Sequence, residues 1–326
     1  MKKVFLKFVI SICVISFAGA VIFSVVTRSI EDDFLEGQGI EKMSLGYSNE
    51  AFQQGSLKVI SYKTTMIGRI HNTLDKKATV YLPYGYTSTQ EYNIFYLMHG
   101  RGGSYKTWLG NQKHPREFKN ILDNMIENGD IKPLIVVAPN LTYEYGSDDM
   151  IMEGTSHEIA TDLMPAVEGQ FNTFAKGITS DSFRLSREHR CIGGFSMGGS
   201  LTWHTLKDHI DYFRYFIPMS MATYYDNKGY SRMKSLAAAA ELKGSLNSSG
   251  YTSKDFEVFA ATGGMDHKGE ATAMQVFDLA DDKEFVYTDN YFGEGNITFK
   301  MWPGKWHSYK TSYPYIYNAL IQFYGN

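Results

Sequence analysis

Residues 190–200 read RCIGGFSMGGS and contain a G-x-S-x-G pentapeptide centred on Ser196. An apolar run precedes the pentapeptide, and residues 197–209 have helical periodicity directly after it. This order of strand, tight turn and helix is the setting of a nucleophile elbow. The glycines let strand and helix approach closely, and the hydroxyl then lies at a helix N-terminus, where negative charge is favoured. We predict that Ser196 is a catalytic nucleophile; a glycine-rich turn without chemistry is the alternative.

The pattern on either side of this segment predicts an α/β fold. Short apolar runs that read as strands alternate with longer stretches of helical periodicity, which favours a mostly parallel sheet with helices on both faces. In such sheets ligands bind outside the carboxyl ends of the strands, so chemistry is expected there. Eight strands are predicted, over residues 56–64, 78–83, 94–100, 134–140, 190–196, 213–220, 256–264 and 297–304.

Composition and charge exclude several classes of protein. Hydrophobic residues make up 43% of the 326 residues and charged residues 21%, as in chains that fold around a core. The net charge of -3, without a basic stripe, argues against a nucleic-acid partner. Cys13 lies in the apolar N-terminal segment and Cys191 stands alone in the body. We therefore expect no disulfide in the body and no cysteine-based zinc site, with Cys191 buried.

Residues 1–30 are predicted to be a signal peptide or an N-terminal membrane anchor. A basic start precedes residues 8–26, which carry no charge, and residues 18–20 read AGA, as at a cleavage site. The uncharged run is also long enough to span a bilayer as a helix, so cleavage and anchoring both stay open. Residues 31–55 are expected to be a linker and residues 56–326 one domain, secreted or held on the outer face of the membrane.

A serine nucleophile needs a base, and in this arrangement the order along the chain is serine, acid, histidine. Four histidines follow Ser196. His204 and His209 lie on the helix after the elbow and are expected to pack or to face solvent, while His267 directly follows the seventh strand. His307 follows the eighth strand and precedes the last helix. We predict that His307 is the base, with a surface histidine as the alternative.

The acid is predicted by the same logic. Asp266 lies just beyond the glycines that end the strand over residues 256–264. A carboxylate there can orient the imidazole of His307 and stabilise its charged form. Glu270 and Asp278 are the reserve candidates; charges on a solvated helix are the ordinary interpretation of both.

Two backbone N–H groups are expected to stabilise the negative oxygen of a tetrahedral intermediate. One belongs to Met197, directly after the predicted nucleophile. The other belongs to Arg101, in the loop HGRGGS over residues 99–104, which follows the third strand. A plain flexible loop is the alternative for this segment. The sequence has no metal-binding, Walker or dinucleotide motif, so no metal and no cofactor are expected.

Five segments of the chain, taken together in their order along the sequence, resemble feruloyl esterase modules of carbohydrate esterase family 1. These modules are of the type attached to clostridial xylanases, within the esterase D group. The resemblance runs from about residue 57 to the C-terminus. It implies an α/β-hydrolase fold, serine esterase chemistry and no cofactor, and it places the nucleophile on Ser196, the acid on Asp266 and the base on His307. The segments cover residues 80–108, 133–140, 189–203, 259–266 and 307–320.

The resemblance also implies a substrate class. We expect a secreted enzyme that releases hydroxycinnamate, such as ferulate, from arabinoxylan through an acyl-enzyme on Ser196. An acetyl esterase acting on xylan or another carbohydrate is the alternative, and an acyltransferase on a carbohydrate is a more distant one. The expected partner is therefore a feruloylated or acetylated plant cell-wall polysaccharide or oligosaccharide. Residues 141–154 and 223–231 are expected to be variable loops that shape the acyl pocket.

Aromatic side chains in the predicted loops are candidates for substrate binding. Trp108, Tyr224, Tyr225 and Trp306 all lie near predicted strand ends, and Trp306 directly precedes the predicted base. Such rings can stack on an aromatic acyl group or on a sugar. Packing in the core or at the rim is the alternative for each of them.

Overall fold

The computed structural model describes residues 43–65, 73–141, 148–224, 232–280, 282–289 and 294–325. Eight strands form the main sheet of these residues, in the places that the sequence predicts. They are β1 (Ser56–Thr65), β2 (Thr73–Leu82), β3 (Asn93–Met98), β4 (Leu134–Pro139), β5 (Arg190–Phe195), β6 (Tyr215–Met219), β7 (Glu257–Gly263) and β8 (Ile297–Trp302).

The strands lie in the order β1-β2-β4-β3-β5-β6-β7-β8. β2 pairs antiparallel with both β1 and β4, and all the other neighbouring strands are parallel. The predicted mostly parallel sheet is therefore confirmed. Parallel strands need crossover connections, which place helices on the faces of the sheet. The carboxyl ends of β3–β8 consequently lie along one edge.

Helices follow most strands. They are α1 (Glu117–Glu127), α2 (Asp148–Glu158), α3 (Met164–Glu168), α4 (Ser180–Leu185), α5 (Met197–His209), α6 (Arg232–Ser249), α7 (Gly269–Leu279) and α8 (Tyr309–Tyr324). A π-helical turn over Ile159–Leu163 joins α2 to α3. The expectation of a loop over residues 141–154 is corrected in part, because α2 begins at Asp148 within it.

Two clusters of buried apolar side chains cover the two faces of the sheet. Side chains alternate between faces along a strand, so neighbours on β5 separate: Ile192 joins one cluster and Cys191 the other. Every residue of β4 and β5 is buried. The expected burial of Cys191 is confirmed, and burial raises the pKa of its thiol well above the ordinary value. This thiol is therefore a packing group rather than a reactive one.

Three buried carboxylates connect helices to the sheet, and each accepts hydrogen bonds from a tyrosine and from a cationic side chain. Glu168 of α3 accepts from the Tyr96 hydroxyl at 2.9 Å and from two nitrogens of Arg190 at 2.8 and 3.0 Å. Burial raises the pKa of Tyr96 well above its ordinary value, so the phenol keeps its proton. The other two clusters are Tyr81–Asp123–Lys119 and Tyr62–Glu158–Lys76.

The described part of the segment before β1 lies against α1. Ser48 donates a hydrogen bond to Glu117 at 2.7 Å, and the amide of Gly55 donates to the buried carboxylate of Asp123 at 2.8 Å. The predicted leader, and the predicted linker up to residue 42, lie outside the described residues. Within the described ranges, no helix is both long and apolar enough to cross a membrane.

Candidate active site

Ser196 occupies the turn between β5 and α5 in a backbone conformation that residues other than glycine rarely adopt. Its φ is 58° and its ψ is -121°. Such a conformation persists only where the surroundings hold it. The Ser196 amide donates to the Met219 carbonyl at 2.9 Å, and the Ser196 carbonyl accepts from the Gly199 amide at 2.8 Å. These bonds to β6 and α5 hold the predicted elbow in its sharp turn.

Two glycines of the pentapeptide region are required by the close approach of α5 to the sheet. A Cβ atom on Gly198 would lie 2.6 Å from the carbonyl oxygen of Met98 on β3. A Cβ atom on Gly199 would lie 2.5 Å from the carbonyl oxygen of Met219 on β6. Both distances are too short for real Cβ contacts, so a larger residue would push the helix away from the strands. The spacing of glycines thus sets the position of the serine.

Asp266 and His307 are brought together from two different loops. Both carboxylate oxygens of Asp266 lie 2.9 Å from Nδ1 of His307. The Asp266 side chain is fully buried, and the amide of Lys268 donates to its Oδ1 at 2.8 Å. A carboxylate accepts from Nδ1–H, which leaves Nε2 as the nitrogen that can accept a proton. The pair can therefore orient an imidazole and stabilise its charged form.

The loop after β8 places His307 next to the elbow. His307 directly precedes Ser308, the N-cap of α8, whose hydroxyl accepts the amide N–H of Thr311. The His307 ring lies 4.4 Å, centroid to centroid, from the ring of Phe195. Phe195 is the residue immediately before Ser196, so the imidazole lies at the end of the strand that leads into the elbow. The side chain of His307 is 20% exposed to solvent.

A second histidine approaches the same carboxylate. His267 Nδ1 lies 3.8 Å from Asp266 Oδ1, and its ring packs edge to face on His307 at 4.7 Å. Within the described ranges, Asp266, His267 and His307 are a set whose ligand atoms lie within 4.8 Å of one another, as metal ligands do. The Asp266 carboxylate bonds directly to His307, as in an acid–base pair, and His267 is 63% exposed beside it.

The glycine-rich loop after β3 also contacts the elbow. A Cβ atom on Gly100 would lie 3.0 Å from Cβ of Ser196, which is tighter than most real contacts, so a glycine favours this approach. Buried His99 fixes the start of the loop: its Nε2 accepts from the Leu141 amide at 3.0 Å, and its Nδ1 donates to the Gly100 carbonyl at 2.7 Å. Burial lowers the pKa of His99, in keeping with this neutral form. Arg101 is the next residue of the loop.

The four aromatic candidates have different surroundings. Trp108 is completely buried, and its indole N–H donates to the Met98 carbonyl at 3.1 Å, so its expected place in the acyl pocket is corrected: it packs in the core. Tyr224 is half-buried, and its hydroxyl donates to Glu241 of α6. Trp306 is 63% exposed. Tyr225 lies outside the described residues.

The remaining titratable candidates lie away from the pair formed by Asp266 and His307. His204 is fully buried on α5. Burial lowers its pKa to about 4, and it does the same for the half-buried His209. Asp278 accepts a hydrogen bond from Ser235 at 2.7 Å, which connects α7 to α6. The expectation that the two α5 histidines pack or face solvent fits these positions.

One polar contact of this region was not anticipated from the sequence. The hydroxyl oxygen of Tyr309, the first residue of α8, accepts the amide N–H of Gly100 at 2.8 Å. The sequence signal is an aromatic residue two positions after the predicted base, at the start of the last helix. By itself this signal is weak, because residues 309–324 contain many tyrosines.

The strand order, the elbow after β5 and the acid–histidine pair after β7 and β8 define the α/β-hydrolase class. The chain matches the model of the family described as "Putative esterase" over residues 73–311. It therefore belongs to that esterase family.

Two curated relatives are partly similar. Endo-1,4-beta-xylanase Y of Acetivibrio thermocellus is 37% identical over 250 residues, which are 76% of this chain and 22% of the relative. An endo-1,4-beta-xylanase/feruloyl esterase of Xylanibacter ruminicola is 29% identical over 179 residues, which are 52% of this chain and 22% of the relative. The chain thus spans about a fifth of the length of either relative.

Solved structures give matches over most of the chain. A mutant of the feruloyl esterase module from Clostridium thermocellum, complexed with sinapinate, is 33% identical with a TM-score of 0.74, over 87% of this chain and 93% of that one. A ferulic acid esterase of Anaeromyces mucronatus is 16% identical with a TM-score of 0.64, over 86% and 95% of the two chains, and supports the fold alone. The resemblance found in the sequence is confirmed.

Proposed function

We propose that this chain is a serine carboxylesterase of the feruloyl esterase type, which releases hydroxycinnamate from plant cell-wall arabinoxylan. The observation that carries the proposal is the hydrogen bond of buried Asp266 to His307, whose ring lies beside the elbow of Ser196. The similarity to the Clostridium thermocellum feruloyl esterase module supports the choice of acyl group.

Acylation begins when the Ser196 hydroxyl attacks the ester carbonyl and Nε2 of His307 takes its proton. Asp266 holds the imidazole by its Nδ1–H and stabilises the positive charge that forms. The amides of Met197 and Arg101 donate to the carbonyl oxygen as it becomes negative. The bond between the acyl carbon and the sugar oxygen then breaks, His307 gives its proton to that oxygen, and the hydroxycinnamoyl group remains on Ser196 as an ester.

Deacylation repeats these steps with water in place of the serine. His307 removes a proton from the water, the hydroxide attacks the acyl carbonyl, and the collapse of the intermediate returns the proton to the serine oxygen. Hydroxycinnamate leaves. None of these steps requires a metal or an organic cofactor.

The test compares wild-type protein and Ser196→Ala on methyl ferulate, nitrophenyl acetate and acetylated xylan. We expect kcat/KM for methyl ferulate to exceed that for a simple acetate ester of matched leaving group. Ser196→Ala removes the attacking atom, so only a residual acceleration on the order of 10³–10⁴ over water should remain. More than a few per cent of wild-type turnover would contradict the nucleophile, and better acetate hydrolysis would indicate an acetylxylan esterase.

We also propose that the protein acts outside the cytoplasm, on the basis of the basic start and the uncharged run of residues 8–26. N-terminal sequencing of native protein distinguishes release, with a start near residue 21, from anchoring, with an intact leader in the membrane fraction. Soluble cytoplasmic protein with an intact N-terminus would contradict the proposal.

A further inference from the structure

Tyr309 connects the loop of the proposed base to the loop of the proposed oxyanion donor. Its hydroxyl oxygen accepts the Gly100 amide N–H at 2.8 Å, across 209 positions of sequence. Gly100 directly precedes Arg101, whose amide is a proposed donor to the oxyanion. Only the two backbone dihedrals of Gly100 separate these two amide groups. The carbonyl of the peptide unit that carries the Arg101 amide accepts hydrogen bonds from His99 and from the Gly103 amide. Tyr309 adds an anchor on the other side of Gly100, a residue that is unusually free at both dihedrals.

The ring of Tyr309 is held from two sides. It lies 4.9 Å from the ring of Phe195, the residue before Ser196. It also lies 4.9 Å from the ring of Trp108, at an interplanar angle of 90°. Trp108 is itself anchored by its indole hydrogen bond to the carbonyl of Met98, at the end of β3. The phenol oxygen therefore has a defined position relative to both the elbow and β3.

The first turn of α8 sets this arrangement. Ser308 caps the helix, so His307 precedes the cap and Tyr309 is the first helical residue. One short segment thus carries the base and the anchor of the oxyanion loop. Burial raises the pKa of Tyr309, so the phenol stays neutral at working pH. A neutral phenol oxygen can accept the Gly100 N–H throughout that range.

We propose that Tyr309 is a positioning residue of the oxyanion hole, which holds the Gly100–Arg101 backbone in the orientation that stabilises the transition state. The proposal rests on the proposed esterase function. It assigns the role to the hydroxyl oxygen and not to the ring. A role in packing alone would need only the aromatic ring, which a phenylalanine keeps.

The test is Tyr309→Phe, with Tyr313→Phe as the matched control. Tyr313 lies one turn later on α8 and stacks on Phe118 at 5.4 Å. Loss of one oxyanion donor typically costs about 10²–10³ in kcat, and misorientation costs less, so we expect Tyr309→Phe to lower kcat about 10- to 100-fold. KM for methyl ferulate should stay within about 2-fold, since ground-state binding is unchanged. Tyr313→Phe should keep wild-type kcat.

A second measurement separates positioning from packing. An arylboronic acid forms a tetrahedral adduct with an active serine and mimics the transition state, whereas ferulate is only the product. Tyr309→Phe should weaken inhibition by the boronic acid by a factor similar to its loss in kcat/KM, and it should leave inhibition by ferulate unchanged. Equal loss of both, unchanged kcat, or the same defect in Tyr313→Phe would overturn the proposal.

Two controls keep the result interpretable. Turnover is referred to active sites counted by fluorophosphonate labelling, so that any unfolded fraction of a variant is excluded. Ser196→Ala is assayed in parallel. If Ser196→Ala retains activity, the proposed function itself fails; if it is inactive while Tyr309→Phe equals wild type, only the role of Tyr309 fails.

Discussion

Two regions of the described residues hold buried carboxylates with different partners: the interior between the helices and the sheet, and the edge at the end of β7. Asp123, Glu158 and Glu168 each accept from a tyrosine and from a lysine or arginine, between helices and the sheet. Asp266, at the end of β7, accepts instead from the imidazole of His307. Lysine and arginine keep their protons through the neutral range, whereas an imidazole exchanges its proton there. The first region therefore stabilises the fold, and the second is suited to moving a proton.

The solvent exposure of the side chains that donate to these carboxylates also differs between the two regions. The side chains of Arg190 and Glu168 are 1% and 0% exposed, so no substrate reaches them. Asp266 is equally buried, but its partner His307 is 20% exposed beside the elbow. A buried carboxylate whose partner is a partly exposed imidazole thus distinguishes the candidate site from the three buried clusters around Asp123, Glu158 and Glu168. The predictions below test this distinction by changing one partner at a time.

The largest effect is expected for His307→Ala. Serine and base act as one unit, so the loss in kcat should be on the order of 10⁶. The free energy of unfolding should fall less than in a variant of the Arg190–Glu168 pair, because the Asp266 carboxylate keeps its hydrogen bond from the Lys268 amide. Steady-state kinetics on methyl ferulate and urea unfolding of the same preparation check both parts. A variant with a tenth of wild-type turnover would remove His307 as the base.

Asp266→Asn should be less damaging. The amide cannot stabilise the charged imidazole and favours the wrong tautomer, so we expect kcat to fall about 10⁴-fold with the protein still folded. If this variant unfolds, or if its kcat stays near that of wild type, Asp266 does not differ from the carboxylates that only stabilise the fold. Circular dichroism and kinetics on one sample distinguish these results.

Glu168→Gln should lower the stability of the fold and leave catalysis unchanged, the opposite of Asp266→Asn. It leaves the buried guanidinium of Arg190 without its charge partner, which typically destabilises a protein by about 3 kcal/mol or more. We expect a lower free energy of unfolding in urea and an unchanged kcat per labelled active site. A loss of kcat in fully folded protein would show that this cluster supports the site.

His204 is a buried histidine outside the candidate site, and we expect it to affect the pH dependence of stability. Its pKa is lowered to about 4 by burial, below the ordinary 6.5, so the unfolded chain binds the proton more readily. The contribution of the neutral His204 side chain to the free energy of unfolding is therefore fully present above about pH 6.5. It is lost as the pH falls towards 4, by up to about 3 kcal/mol. His204→Gln should flatten this part of the stability profile in urea titrations from pH 4 to 8. An unchanged slope would contradict the prediction.

The smallest effect is expected for His267→Ala. His267 is 3.8 Å from Asp266, outside hydrogen-bond distance, and mostly exposed. Its removal should leave kcat/KM within about 2-fold, since Asp266 keeps its bonds from His307 and from the Lys268 amide. If this variant is the inactive one and His307→Ala is active, the two histidines exchange roles.

Much of the site could be predicted because its signals are local. The pentapeptide around Ser196 requires glycines on both sides wherever α5 packs on the sheet, and strand ends mark the positions of Asp266 and His307. The placement of Trp108 could not be predicted in this way. Its loop position suggested a pocket wall, but rings from two helices cover it: Phe118 of α1, and Tyr309 and Tyr313 of α8.

The sequence by itself determined the α/β class, the eight strands and the turn that carries Ser196, because strand and helix periodicity and glycine spacing act over a few residues. Only the tertiary structure decided which polar groups meet across the chain. The bond from the Gly100 amide to Tyr309, which the sequence did not predict, spans 209 positions. Such contacts depend on how loops converge at the edge of the sheet, and no local pattern encodes that convergence.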